Sequence, residues 1–213
     1  MVIKIVLFCL VSYLIGSFSS AVWIGKWFFG IDVREHGSKN AGATNTFRVL
    51  GYKAGIPVFI LDVLKSFISV NFIIFIPEII TYSEIYYGIK ILFGICAVTG
   101  HIFPIYTRFK GGKGVASMLG LVIALQPTAA GITFAVFIFV FLITRIVSLS
   151  SISAAIAFPI IIYLLEKNDS LTLTIFSLIA TVIIIFTHKL NIKRLIAGEE
   201  KKISFRKNKN TSL

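Results

Sequence analysis

Acidic residues are scarce in this chain. Its 213 residues include nine Asp and Glu against 21 Lys and Arg, a net charge of +12. Charge of either sign is thin, at 14% of the residues, where soluble domains carry roughly a quarter. Set beside a hydrophobic content of 57% and a mean hydropathy of +0.93, that shortage excludes an ordinary soluble domain. Cysteine is nearly absent. Cys9 and Cys96 both lie in apolar runs, so there is no metal-ligand spacing and no disulfide framework, and both read as small buried hydrophobes. A small-residue cleavage site after the first apolar segment is lacking, and equally apolar segments follow it, which argues against a secreted precursor.

Apolar runs of about 20 residues are present instead, long enough to cross a bilayer. Hydrophobicity places about seven spans, at 2–25, 54–77, 86–104, 114–126, 128–145, 148–165 and 171–189. The fourth is short for a full crossing and ends at Pro127, so a half-membrane or tilted helix fits it, and five or six spans is the competing count. The expected fold is an all-α, integral membrane, polytopic bundle with polar motif loops re-entrant or at one surface. With the N-terminus outside, the inside segments 26–53, 105–114, 145–150 and 189–213 hold 5, 3, 1 and 8 Lys and Arg, which is 17 of the 21. The outside connections hold Glu78, Glu84, Glu166, Lys167 and Asp169. That asymmetry puts the basic loops and the C-terminus in the cytoplasm. It also argues against nucleic acid as the partner of the positive charge, because the cations are divided among loops and a tail, KKISFRKNKN, suited to anionic headgroups. Residues 1–190 are expected to form one transmembrane catalytic domain, and 191–213 a cytoplasmic last motif with a basic tail.

Four inside stretches carry groups that handle anions. In HGSKNAGATNTFRVLG, Gly37, Gly42 and Gly51 stand among Ser38, Asn40, Thr44, Asn45 and the planar guanidinium of Arg48, a composition suited to phosphate or carboxylate. An ordinary polar turn at the headgroups is the plainer alternative. In GHIFPIYTRFKGGKGVAS, Lys110, Gly111, Gly112, Lys113 and Gly114 precede a predicted helix whose N-terminus favours anions. It is not a Walker A loop, since Lys113 is followed by Gly114, and nucleotide hydrolysis is disfavoured. TRIVSLSSISAA brings Arg145, Ser148, Ser150 and Ser151 between two spans, where serines also serve close helix packing. No Gly-x-Ser-x-Gly elbow surrounds them. HKLNIKRLIAGEEKKI sets His188 and Asn191 three apart, on one face of a continuing helix, with Lys193, Arg194, Glu199 and Glu200 following. Within the second span Asp62 and Lys65 are three apart, and an ion pair between them accounts for two intramembrane charges. His101, at the end of the third span, reads as a capping or packing residue, with a base as the alternative.

These four stretches, in this order and on one predicted side, resemble the bacterial acyl-phosphate:glycerol-3-phosphate acyltransferase family. The resemblance runs from about Gly16 to Lys202 and includes LDVLK in the second span. It implies seven membrane helices in the bacterial inner or plasma membrane and a cytoplasm-facing site. It implies transfer of a fatty acyl group from acyl phosphate to the 1-hydroxyl of sn-glycerol 3-phosphate, giving lysophosphatidic acid and phosphate, the first step of phospholipid synthesis. The implied partners are glycerol 3-phosphate, fatty acyl phosphate and membrane lipids, with no cofactor and no metal. By match to the motifs, Ser38, Arg48, Lys113, His188 and Asn191 would hold glycerol 3-phosphate. Asn40, Thr44, Ser150 and Ser151 would line the acyl phosphate side, and Glu200 matches the acidic residue of the last motif. Lys39 stands where the family commonly has Gly, and Lys189 where it commonly has Arg.

The chemistry of such a reaction agrees with the residues. Two phosphorylated substrates need two anion cradles, and an acyl phosphate has a good leaving group, so direct attack by the glycerol hydroxyl needs no acyl-enzyme. Positioning and charge neutralisation would supply most of the rate. No carboxylate–His pair offers a general base, so a substrate phosphate oxygen is the expected proton acceptor and His188 the alternative. A transporter of organic phosphate is the rival class. It predicts midplane polarity and repeat symmetry, and the chain shows little of either.

Overall fold

The structure is a computed structural model that describes residues 1–79, 84–166 and 170–203. Lys167, Asp169 and the tail from residue 204 onward, all part of the charge argument above, lie outside the described residues. Among the described residues every regular element is helical. In chain order the helices are α1 (Val2–Ser17), α2 (Ser20–Phe29), α3 (Ala43–Leu50), α4 (Tyr52–Val70), α5 (Glu84–Ile102), α6 (Val115–Leu125), α7 (Pro127–Thr144), α8 (Val147–Glu166), α9 (Leu171–Thr187) and α10 (Lys189–Ile196). Large apolar side chains stay exposed around the bundle, among them Val6, Leu142, Ile160 and Val182. Helices satisfy their own backbone groups, so such surfaces suit lipid. The chain is an integral membrane protein.

The expected count of seven crossings is not confirmed. Among the described residues four helices are long and apolar enough to cross alone, and six if each of two bent helix pairs counts as one span. One bent pair is the predicted first span, which breaks into α1 and α2 with a 41° bend. Phe18 there is extended (φ −64°, ψ 107°), and its carbonyl turns away from the helix to accept from Lys65 Nζ at 3.1 Å. The other is α9 and α10, bent by 64° at His188. The predicted fourth span is α6, 11 residues long, which at about 1.5 Å per residue reaches only about half of a hydrocarbon core.

Small residues let the helices approach closely. A side-chain carbon at Gly16 of α1 would run into the Ala97 backbone of α5, and one at Gly120 of α6 into the Val63 backbone of α4. Met118, Leu121, Phe158, Ile162, Phe176 and Ala180 fill the buried core between α6, α8 and α9. This frame fixes the ends of α4, α5, α6, α8 and α9, and the polar motif segments are attached to those ends.

Candidate active site

The first motif is a loop folded back on itself. Asp32 Oδ1 accepts from the Arg34 backbone N–H at 3.0 Å, and Asp32 Oδ2 from the Arg34 guanidinium at 2.7 Å, with Lys26 3.2 Å away. The Arg34 hydrogen bonds, outweighing burial, hold the Asp32 carboxyl well below the usual carboxylate range. Asn45, fully buried in α3, closes the loop. Its amide donates to the Val33 and His36 carbonyls at 2.7 and 3.1 Å, and its oxygen accepts from the Ser38 N–H and hydroxyl at 2.8 and 3.1 Å. Both groups of Asn45 are therefore engaged in shaping the loop, and Ser38 is oriented by it. Asn40 and Thr44 are half-buried beside it. Lys39 has φ 59°, a left-handed conformation that glycine adopts without cost, and this is the position where the family commonly has Gly.

The remaining motifs meet at a carboxylate. Glu200, its side chain 4% exposed, accepts from Ser148 Oγ at 2.8 Å, Asn191 Nδ2 at 2.7 Å and Arg194 Nε at 2.9 Å. Burial pushes the Glu200 carboxyl up, but these three hydrogen bonds outweigh it and hold the group below its ordinary value. Asn191 uses its other end to accept from Lys113 Nζ. Lys113 thereby reaches from the loop before α6 to α10, and Gly114, in the left-handed region at φ 80°, turns the chain into α6 directly after it. Burial, with Arg194 and Arg48 nearby and Glu200 opposing, lowers the Lys113 ammonium to about 8.

Arg48 comes to the same place from α3. Its guanidinium donates to the Lys201 carbonyl at 3.2 Å, while its Nε is buried without a partner. Burial lowers its pKa and Glu200 opposes that. The neighbouring backbone is tied in as well. Arg145 is in the left-handed region (φ 59°) after α7, and its carbonyl accepts from the Ile203 N–H at 2.9 Å. His188, 2% exposed, gives its Nδ1–H to the Ile184 carbonyl at 2.8 Å, which leaves Nε2 as the acceptor of the neutral ring. Three cations, Arg48, Lys113 and Arg194, thus stand around one carboxylate. The surplus is positive, half desolvated and supplied with donors not consumed internally, which is what a phosphate-sized anion requires.

The structure brings Arg48, Lys113, Asn191 and Glu200 together. Ser150 and Ser151 donate to the carbonyls of Ile146 and Val147 four residues back, at 2.8 and 2.9 Å, so their hydroxyl hydrogens serve the helix. Lys110 and Gly111 line a separate open cavity of about 650 Å³ with Lys26, Arg34 and Lys39. Ser148 and Arg194 stand in the motif stretches without an assigned site role, and in the structure both hold Glu200. The adjacency of Ser148 to the other serines, and of Arg194 to the glutamates, was the signal available.

A polytopic helical membrane protein with a desolvated cationic cluster at one end of its bundle is the class that fold and site define. Residues 6–198 match the glycerol-3-phosphate acyltransferase family. The glycerol-3-phosphate acyltransferase of Fusobacterium nucleatum is 43% identical over 198 residues, covering 93% of this chain and 97% of the relative. That of Staphylococcus carnosus is also 43% identical, over 203 residues, covering 94% and 98%. A crystal structure of PlsY (YgiH), an integral membrane glycerol 3-phosphate acyltransferase in its glycerol 3-phosphate form, superposes with a TM-score of 0.84 at 34% identity, covering 94% of this chain and 96% of that one. The lysophosphatidic acid form superposes at 0.81, with 33% identity. The chain belongs to the glycerol-3-phosphate acyltransferase family and is an acyltransferase.

Proposed function

We propose that this enzyme moves a fatty acyl group from acyl phosphate to the 1-hydroxyl of sn-glycerol 3-phosphate, releasing phosphate and 1-acyl-glycerol 3-phosphate. The observation that carries this reading is the meeting of Arg48, Lys113 and Arg194 around Glu200, where α3, the loop before α6, and α10 converge. Arg48 and Lys113 hold the phosphate of glycerol 3-phosphate, and Ser38, His188 and Asn191 complete its surroundings. Glu200 binds no substrate anion. It keeps Asn191, Ser148 and Arg194 in place and keeps Lys113 protonated. The half-buried Asn40 and Thr44 belong to the acyl phosphate side, with the glycine-rich backbone of 111–114.

The hydroxyl oxygen attacks the acyl carbonyl carbon, the bond from that carbon to the phosphate oxygen breaks, and inorganic phosphate leaves. The hydroxyl proton goes to a substrate phosphate oxygen. A site at the motif-bearing end of a bundle meets a soluble substrate from water and an acyl chain from lipid. The concentration of Lys and Arg in the inside segments supports a cytoplasmic site in the bacterial plasma membrane, and residues 1–190 with the last motif act as one catalytic unit. The direct test is glycerol 3-phosphate binding to purified protein by thermal stabilisation. The wild type gains stability with ligand, and Lys113→Ala, folded by gel filtration, loses that gain. An equal gain in both would remove Lys113 from the phosphate site and the reading with it.

A further inference from the structure

Asp62 and Lys65 of α4 are 1% and 6% exposed, so two charges lie inside the bundle. The ion pair expected from their spacing is there, with Lys65 Nζ 2.8 Å from Asp62 Oδ1. It is also part of something larger. Ser20 Oγ donates to Asp62 Oδ1 at 3.0 Å, tying in α2. Lys65 Nζ reaches the Phe18 carbonyl at 3.1 Å and His101 Nδ1 at 2.8 Å. A lysine ammonium has three donors and no acceptor. Its three partners here, the Asp62 carboxylate, the Phe18 carbonyl and His101 Nδ1, use all three. His101 Nδ1 also lies 3.4 Å from Asp62 Oδ1, but the shorter contact, to an ammonium that can only donate, makes Nδ1 the acceptor, and the neutral imidazole carries its proton on Nε2.

The far edge of that imidazole lies at the junction of two motif loops. A side-chain carbon at Gly112 would run into His101 Nε2 and come within 3.0 Å of the Ala41 carbonyl oxygen. The Gly112 N–H donates to the His101 carbonyl at 3.1 Å. Ala41 belongs to the first motif, between Asn40 and Gly42, and Gly112 to the second, one residue before Lys113. A buried ion pair is a poor means of stabilising a helix bundle compared with apolar packing, but it can fix an orientation. In this case the orientation fixed is that of a ring packed against Gly112, whose other neighbour is the Ala41 carbonyl.

Resting on the acyl-transfer reading above, we propose that His101 is a positioning residue. Lys65 and Asp62 lock its tautomer and tilt, and its ring seats the Gly112 backbone beside the Ala41 carbonyl so that both loops face one pair of substrates. His101 acts through the loops and touches no substrate itself.

The test is a double-variant cycle with a charge-neutral control. Gly112→Ala should raise KM for glycerol 3-phosphate and lower kcat, together at least about tenfold in kcat/KM, and should cost little further in a His101→Ala background, because the atom it strikes is gone. Asp62→Asn combined with Lys65→Met removes the lock while leaving no unpaired charge. It should keep a melting temperature within about 5 °C of wild type in detergent while KM rises about tenfold. Additive losses in the cycle, or a folded Asp62→Asn/Lys65→Met protein with wild-type KM, would overturn the proposal. If that control does not fold, the cycle alone decides. Wild-type protein inactive with palmitoyl phosphate would instead sink the acyl-transfer reading. The cycle is then read from stabilisation by inorganic phosphate, so the two failures are distinguishable.

Discussion

His188 gives its Nδ1–H to the carbonyl of Ile184, one turn back in α9, at 2.8 Å. The bond orients the ring where α9 bends into α10 and leaves Nε2 unprotonated, able to accept from a substrate hydroxyl or to sit beside one. Loss of a true general base costs roughly a hundredfold to ten-thousandfold in kcat. With a substrate phosphate oxygen taking the proton, His188→Gln keeps kcat within about tenfold and raises KM for glycerol 3-phosphate instead. Steady-state kinetics with both substrates varied separate the two. A kcat loss beyond a hundredfold at unchanged KM would make His188 the base.

Lys113 titrates near 8, low for a lysine, because burial and the neighbouring cations disfavour its charge. Only the protonated amine attracts a phosphate, and protonation is lost as pH rises through that value. KM for glycerol 3-phosphate is therefore expected to be flat from about pH 7 toward 8 and then to rise, by about tenfold per pH unit well above the break. Glu200 pulls the Lys113 value upward, so Glu200→Gln should move the break to lower pH. KM measured against pH for both proteins checks this, and a break that stays put or moves up would contradict the coupling.

Lys39 is held at φ 59°, a conformation that costs a non-glycine residue about 1 kcal/mol. Lys39→Gly removes that strain at the price of a looser unfolded chain, so a rise of about 2 °C in melting temperature is expected, with activity within about twofold of wild type. Differential scanning in detergent measures the first and the acyl-transfer assay the second. A fall in melting temperature would mean that the lysine side chain contributes more than its backbone costs.

The apolar runs were legible because hydropathy is local. The break at Phe18 was not, because nothing in SFSS separates it from a continuous helix, and the carbonyl it frees is taken up by Lys65, 47 residues away. The Asp62–Lys65 pair could be read from its i, i+3 spacing, but the third member, His101, is 36 residues from Lys65 and joins only through the fold. The same holds at the site. The motifs supplied Arg48, Lys113, Asn191 and Glu200 as candidates, while the role of Ser148 as a Glu200 donor depends on a contact across 52 residues. Composition pointed to anion handling. Which hydroxyls serve the helix backbone, as those of Ser150 and Ser151 do, depends on donor geometry that spacing does not contain.

The most direct measurement mixes purified protein with glycerol 3-phosphate and palmitoyl phosphate and follows released phosphate and lysophosphatidic acid, with palmitoyl-CoA in parallel. The account predicts one phosphate released for each lysophosphatidic acid formed, with palmitoyl phosphate alone as donor, and loss of turnover in Lys113→Ala. Turnover with palmitoyl-CoA and none with palmitoyl phosphate would contradict the donor assignment.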